Sequence, residues 1–353
     1  MKESLYRIIL KGTKKTLKER KISVSEKNEK AIKKSDLENS VKDTKMYDEN
    51  YQWTYMIPKF EKNISVKMRT QVHFMDNDFI DVALWLQKSK QVNPLVVVPS
   101  SFSFDCVVSG DESNLEKTLW CRTSTPLIFQ KNNPYFSLPS DSKRSVLYTP
   151  NVLVFRDDES SGNLFFYYFY FLFFSIFFFL FIFIIFCLFF FYFILFLFIL
   201  IFFIFSLLFL FHFYFFTKNQ KKKGFSYFSP PSKVSFLHVS PIQSPKMVTN
   251  KNKGTVAFSK KDKNLLNERI SLALQVGLEN GHDAIVFTAI GCGRSFNSSS
   301  LLVARLMRSV LSLYRQKYSH IIFAIRDSDD TNNLKTFQKV FQTPVKKRRP
   351  KRN

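Results

Sequence analysis

Two glycines one residue apart, Gly291 and Gly293, flank Cys292 directly after a short apolar run, Asp283 to Ile290. Glycine has no Cβ, so a ligand can approach its backbone closely. Behind them Ser298, Ser299 and Ser300 open a second apolar run, Leu301 to Tyr314. That run sets Leu302, Leu306, Val310 and Leu313 on one stripe, with Arg305, Arg308 and Arg315 off it. This is the period of a helix, and a serine stands ready to cap it. Amide N–H groups of such a loop and of the next first helical turn converge on one point, where an anion, typically a phosphate, is stabilised. The same glycines also serve a bare βα turn, and their spacing alone leaves both readings open.

The elements that must hold this loop are legible on either side. Asp283–Ile290, rich in β-branched and aromatic residues, reads as a buried strand, and His320–Ile325 as a second. Asn264–Asn280 reads as a helix with Leu266, Ile270, Ala273, Leu274 and Gly277 on one face and Gly281 as its stop, beside which His282 caps or packs. Upstream, Leu37–Tyr51 has a helical pattern, Ile64–His73 alternates as a strand, and Asp78–Gln87 is a short amphipathic helix. Pro94–Pro99 is a buried strand, Asn114–Cys121 starts a helix, and Val146–Phe155 and Val234–Val239 are strands. Alternating strands and helices predict an α/β fold.

The chain has 353 residues and a formal net charge of +24, much of it in the tails. Residues 1–35 read as a solvated basic arm or frayed helix, and the chain closes on the basic run Lys346–Arg352, which reads as a nuclear address or as a solvated tail. Cys106, Cys121, Cys187 and Cys292 show no paired spacing, and the five histidines are scattered, so neither disulfides nor a metal site is expected. Met1–Arg20 is interrupted by charges and has no signal-peptide core.

The stretch Gly281–Phe287, then Ala289–Gly293, then Asn297, resembles the last block of the microbial-type poly(ADP-ribose) glycohydrolase family. Four more segments resemble that family in the same order: Ser40–Thr44 with Asn50-Tyr51, Ala83–Gln87 with Asn93-Pro94, Tyr148–Asp158, and Val234–Pro241 with Gln243–Lys246. The resemblance implies a macrodomain-like mixed sheet flanked by helices, over roughly residues 36–163 and 232–342. It implies ADP-ribose bound with its diphosphate on Gly291, Cys292 and Gly293, with Arg294, Asn297 and Ser298 around it, and no cofactor.

In that family a Gly-Gly-Gly loop and a Gln-Glu-Glu motif supply a general acid for glycosidic cleavage. Here Leu115–Ser124 resembles the second motif by its tail, which puts Glu116 on the first glutamate and Lys117 on the catalytic one. A lysine is cationic at neutral pH and has no carboxyl proton to give. The triple glycine falls on Phe104-Asp105-Cys106, and an upstream asparagine falls on Val98. Asp105, Asp111 and Glu112 are stand-in acids or a polar surface loop.

Residues 164–216 hold no Asp, Glu, Lys or Arg and 26 of the chain's 43 Phe. Such a length spans a bilayer twice, since a helical span needs about 20 residues. Yet the tract, with its basic linker to residue 231, falls between two segments that the resemblance joins directly. It also uses only residues with T-rich codons, so it reads either as a retained intron or as a membrane hairpin or other insertion.

The resulting expectation is an ADP-ribose-binding protein with weak or lost hydrolysis, acting on ADP-ribose or poly(ADP-ribose)-modified proteins in nucleus or cytoplasm, without specific nucleic-acid readout. The alternatives are an active glycohydrolase with a shifted acid, and a basic membrane- or nucleic-acid-associated protein with a vestigial pocket.

Overall fold

The computed structural model describes residues 2–25, 28–48, 51, 70–100, 114–129, 145–158, 225–250, 254–293, 296–314, 316–327 and 332–343. In chain order the elements are α1 (Lys2–Glu19), β1 (Lys21–Ser25), β2 (Asn28–Ala31), α2 (Lys34–Lys42), β3 (Lys45–Tyr47) and β4 (Gln71–Met75). Next come α3 (Phe79–Trp85, extended by one wide π turn to Lys90), β5 (Pro94–Pro99), α4 (Asn114–Arg122), α5 (Thr125–Ile128), β6 (Val146–Arg156) and β7 (Tyr227–Val239). The chain ends with β8 (Met247–Asn250), β9 (Thr255–Phe258), α6 (Lys260–Glu279), β10 (Ala284–Phe287), α7 (Ser300–Leu311), β11 (His320–Ala324) and α8 (Asn333–Gln342).

Seven strands form one mixed sheet in the order β3-β6-β7-β5-β10-β11-β4. From β7 to β4 neighbours run parallel, while β6 and β3 are antiparallel. Every residue of β5 and β10 is buried, as central parallel strands covered on both faces must be. Alternate residues separate the two faces. Leu95, Val97, Ile285 and Phe287 pack under α6, α7 and α8, whereas Val96, Val98, Ala284 and Val286 pack under α3 and α4. The mixed sheet flanked by helices agrees with the α/β expectation.

Several local expectations need correction. The helical pattern over Leu37–Tyr51 yields a helix only to Lys42, because Lys45–Tyr47 leaves it to pair with Val146–Tyr148 on the sheet edge. Residues 1–35 are no solvated arm: α1 and the β1–β2 hairpin bury Leu17, Ile22 and Ile32 against Leu37, Leu153 and Phe155. In α7 the buried stripe is Val303, Leu306, Met307, Val310 and Leu311. Leu313 lies beyond the helix end, 57% exposed. Of the strand expected at Ile64–His73, residues 64–69 lie outside the described residues, and β4 runs Gln71–Met75, where it pairs with β11.

The chain divides into two compact units, Met1–Arg156 with Tyr227–Asn353, and Asp157–Ser226. Arg156 pairs with Tyr227 at the end of the β6–β7 hairpin. Within the second unit the Asp157 N–H donates to the Ser226 carbonyl at 2.9 Å and the Phe225 N–H to the Asp158 carbonyl at 3.2 Å. Residues 164–216 lie outside the described residues. Among the described residues no helix is long and apolar enough to cross a membrane. The basic run 346–352 also lies outside the described residues.

Candidate functional site

Strand β5 is where the sheet's chain order reverses. The chain continues from it to β6 and β7 on one side, and later to β10 and β11 on the other. The helix after β5, α4, lies on the face of Val96 and Val98, while the helix after the adjacent β10, α7, lies on the face of Leu95 and Val97. Connections that leave neighbouring parallel strands toward opposite faces open a crevice at the strands' carboxyl ends. The glycine loop and Ser100, the hydrogen-bond partner of Glu116, therefore both lie just past the carboxyl ends of adjacent parallel strands.

On the β10 side the loop is a set of turns with a definite amide account. The N–H groups of Cys292, Phe296, Asn297 and Ser298 donate to the carbonyls of Ala289, Gly293, Gly293 and Gly291 at 3.0, 3.1, 3.2 and 3.3 Å. Among the described residues no acceptor takes the N–H of Gly291 or Gly293. The Ser299 side chain makes no cap hydrogen bond, so the amides of the first turn of α7 stay available as well. These are the donors an anion would use.

The two glycines play different parts. Gly291 has φ +74°, the left-handed region, and a Cβ there would sit at 3.4 Å from Ser298 Oγ and 3.5 Å from Pro241 Cβ. Gly293 is exposed, has no positive φ, and a Cβ there would meet only Phe296, at 3.9 Å. The fold requires Gly291, whereas nothing described in the fold requires Gly293. Cys292 points into the core, and burial pushes its thiol up to about 12, so the thiol is inert and its amide is already engaged. Asn297 is exposed in the left-handed region at φ +51°, and Ser298 supplies the hydroxyl facing Gly291. Arg294 lies outside the described residues.

On the β5 side Glu116 and Lys117 are both buried in α4. Ser100, just past β5, donates its hydroxyl to Glu116 Oε1 at 2.9 Å, and its own N–H donates to the Val239 carbonyl at 3.0 Å. Lys117 follows about 100° round the helix, on the stripe of Cys121. The far end of α4 is fixed by Arg122, whose Nη1 donates to Asp78 Oδ1 at 2.5 Å, whose Nη2 donates to Asp81, and whose Nε donates to the Arg156 carbonyl at 3.0 Å. Asp78 also caps α3, accepting from Ile80 and Asp81 amides. A fully buried guanidinium is tolerated because carboxylates and a carbonyl replace its water.

Beside the loop, Arg269 of α6 is buried and donates to the Ser240 carbonyl at 2.6 Å, holding the chain where β7 leaves the sheet. His238 on β7 is buried against Phe129 and shares a hydrogen bond with Thr149 Oγ1 at 3.2 Å. Burial alone lowers it to about 3, so it is neutral. His282 packs, as expected, at the opposite strand ends: Nε2 meets the Tyr148 hydroxyl at 2.9 Å and Nδ1 the Asn93 carbonyl at 3.2 Å. Its pKa is lowered, chiefly by burial.

Val98, where the resemblance would place an asparagine, is a core residue. Phe104-Asp105-Cys106, Asp111 and Glu112 lie outside the described residues. Among the described residues no three His, Cys, Asp or Glu side chains gather as a metal ion would require. Sequence reasoning missed Ser100 and Arg269, and gave Arg122 a place in the Leu115–Ser124 motif without its two aspartates. Each is a long-range polar contact that no local pattern signals.

No family model and no curated protein matches the sequence. Solved structures do match. The poly(ADP-ribose) glycohydrolase of Thermomonospora curvata superposes with a TM-score of 0.57 at 13% identity, over 96% of this chain and 100% of that one. Its complex with the inhibitor ADP-HPD gives 0.55 at 13%, over 95% and 99%. The glycohydrolase of Deinococcus radiodurans in complex with ADP-ribose gives 0.53 at 14%, over 87% and 97%. The fold is that of these glycohydrolases. At such identity the glycohydrolase likeness fixes the fold and the order of its elements, and leaves the chemistry to this chain's own residues.

Proposed function

We propose that the chain is an ADP-ribose-binding protein of the glycohydrolase fold in which hydrolysis is weak or lost. The observation that carries the binding half is the amide account at the switch-point crevice. Among the described residues no acceptor takes the N–H groups of Gly291 and Gly293, which lie beside the uncapped amino end of α7, and the matched Deinococcus structure is a complex with ADP-ribose. A diphosphate is the anion such a backbone cradle suits, because its donors need no side-chain charge.

The observation that carries the second half is Lys117. Glycosidic cleavage passes through an oxocarbenium-like state and needs an acid to protonate the leaving oxygen. Position 117 offers an ammonium instead of a carboxyl. Glu116 beside it is buried and held by Ser100, the arrangement of a group that positions a ribose hydroxyl.

A poly(ADP-ribose) release assay on wild type and Lys117→Glu tests this reading. Wild type is expected to release ADP-ribose at least about 100-fold more slowly than an ordinary enzyme of the class, and Lys117→Glu to recover only part of that, because the positioning loop lacks its glycines and poor positioning alone costs on the order of 100-fold. Release by wild type at an ordinary enzyme rate that Glu116→Gln abolishes would instead make Glu116 the acid and the protein an active glycohydrolase.

A further inference from the structure

The segment that carries the chain out of β7, Ser240 to Lys246, is tied to one helix at both ends. At its start the Ser240 carbonyl accepts from Arg269 Nη1 of α6 at 2.6 Å. At its end the Lys246 N–H donates to Asp262 Oδ2 of the same helix at 2.8 Å. The Lys246 carbonyl accepts in turn from the N–H of Ser259, the N-cap of α6, at 2.7 Å. Asp262 and Arg269 are two turns apart on one side of α6, about 10.5 Å along its axis. The extended reach of the segment is about twice that, so it cannot lie straight between its ties and must bow.

The bow rests on the glycine loop. A Cβ on Gly291 would lie 3.5 Å from Pro241 Cβ, so Pro241 packs against the bare face of that glycine. Three residues on, the Ser244 N–H donates to the Phe296 carbonyl at 2.9 Å. Ser244 does so at φ +46°, a left-handed conformation uncommon for serine and held by its surroundings. Between these contacts Ile242 is buried in the same core as Leu266 and Ile270 of α6.

We infer that Ser240–Lys246 is a strap that fixes the shape of the glycine loop, and that Arg269, with Asp262 at the far tie, is its positioning residue. Arg269 is 1% exposed and acts through the Ser240 carbonyl and Pro241 on the backbone of Gly291. Neither it nor Asp262 has to touch a ligand. Releasing either tie loosens the loop and weakens ADP-ribose binding, a consequence that rests on the proposed function.

Two measurements on the full chain test this, in wild type, Asp262→Ala, Asp262→Asn and Arg269→Met. Hydrogen exchange at the amides of Cys292, Phe296, Asn297 and Ser298 reads the strap, and calorimetric titration of ADP-ribose reads its consequence. Asp262 is partly exposed, so Asp262→Ala should fold. Its four loop amides are expected to exchange about tenfold faster while β5 and β10 keep their protection, and ADP-ribose to bind about tenfold more weakly. Asp262→Asn keeps an acceptor for the Lys246 N–H and is expected to behave as wild type. Arg269→Met unties Ser240 and is expected to give the larger effect on both readouts. Wild-type exchange at the loop in Asp262→Ala and in a folded Arg269→Met would overturn the inference, as would protection lost equally from β5 and β10. If Arg269→Met does not fold, Asp262→Ala decides alone. Wild type that binds no ADP-ribose would remove the proposed function, while loop exchange would still decide on the strap.

Discussion

Ser100 donates its hydroxyl to Glu116 Oε1 at 2.9 Å while its amide holds the Val239 carbonyl, so the carboxylate is tied to the carboxyl edge of the sheet. Both side chains are buried. Removing the donor leaves a buried carboxylate short of one hydrogen bond, which costs about 1–3 kcal/mol. Ser100→Ala is therefore expected to lower unfolding free energy by that amount in urea titrations, and to weaken ADP-ribose binding. Unchanged stability and affinity would show that Glu116 is positioned by other contacts.

Acid should unfold the protein partly through His238. Its folded pKa is lowered by burial to about 3, against about 6.5 for an unfolded histidine. Between those values the unfolded chain binds the proton and the native state does not, so stability rises with pH up to about 6.5 and is lost as pH falls toward 3. His282 is shifted in the same direction, chiefly by burial. His238→Gln should remove about 2–3 kcal/mol of the stability difference between about pH 4.5 and pH 7.5. Equal pH dependence in the two proteins would contradict the assignment.

How much the sequence discloses depends on the range of the interaction concerned. Pro94–Pro99 is readable because a central parallel strand is apolar on both faces, and α6 because Gly281, at φ +70°, stops it as expected. Position 45 is not readable, since only the partner β6 turns Lys45–Tyr47 from helix to strand. The glycine loop is readable as a motif, yet the division of labour between Gly291 and Gly293 appears only with backbone angles and neighbours. Ser100, Arg122 and Arg269 act across 16, 44 and 29 residues of sequence on Glu116, Asp78 and Ser240, and each is locally an ordinary polar residue.

The tract between Asp158 and Phe225 should be dispensable to the sheet. Its flanks already pair, Asp157 with Ser226 and Phe225 with Asp158, as the ends of an antiparallel hairpin do. Replacing 159–224 with Asn-Gly supplies a two-residue turn. The shortened protein is expected to unfold cooperatively at a similar temperature, and mature transcripts lacking the codons between Asp158 and Phe225 are expected. Failure of the shortened chain to fold, or mature transcripts that all retain the tract, would contradict this.

The proposed function requires ADP-ribose to meet the backbone of the glycine loop, and Gly293 isolates that contact. A Cβ at Gly293 meets nothing nearer than 3.9 Å and the residue has no positive φ, so Gly293→Ala should fold as wild type does. Calorimetric titration of ADP-ribose into both proteins is the most direct test. Saturable binding by wild type, weakened at least about tenfold in an equally stable Gly293→Ala, about 1.4 kcal/mol, is the expected result. No heat of binding in wild type, or equal affinity in the variant, would contradict it.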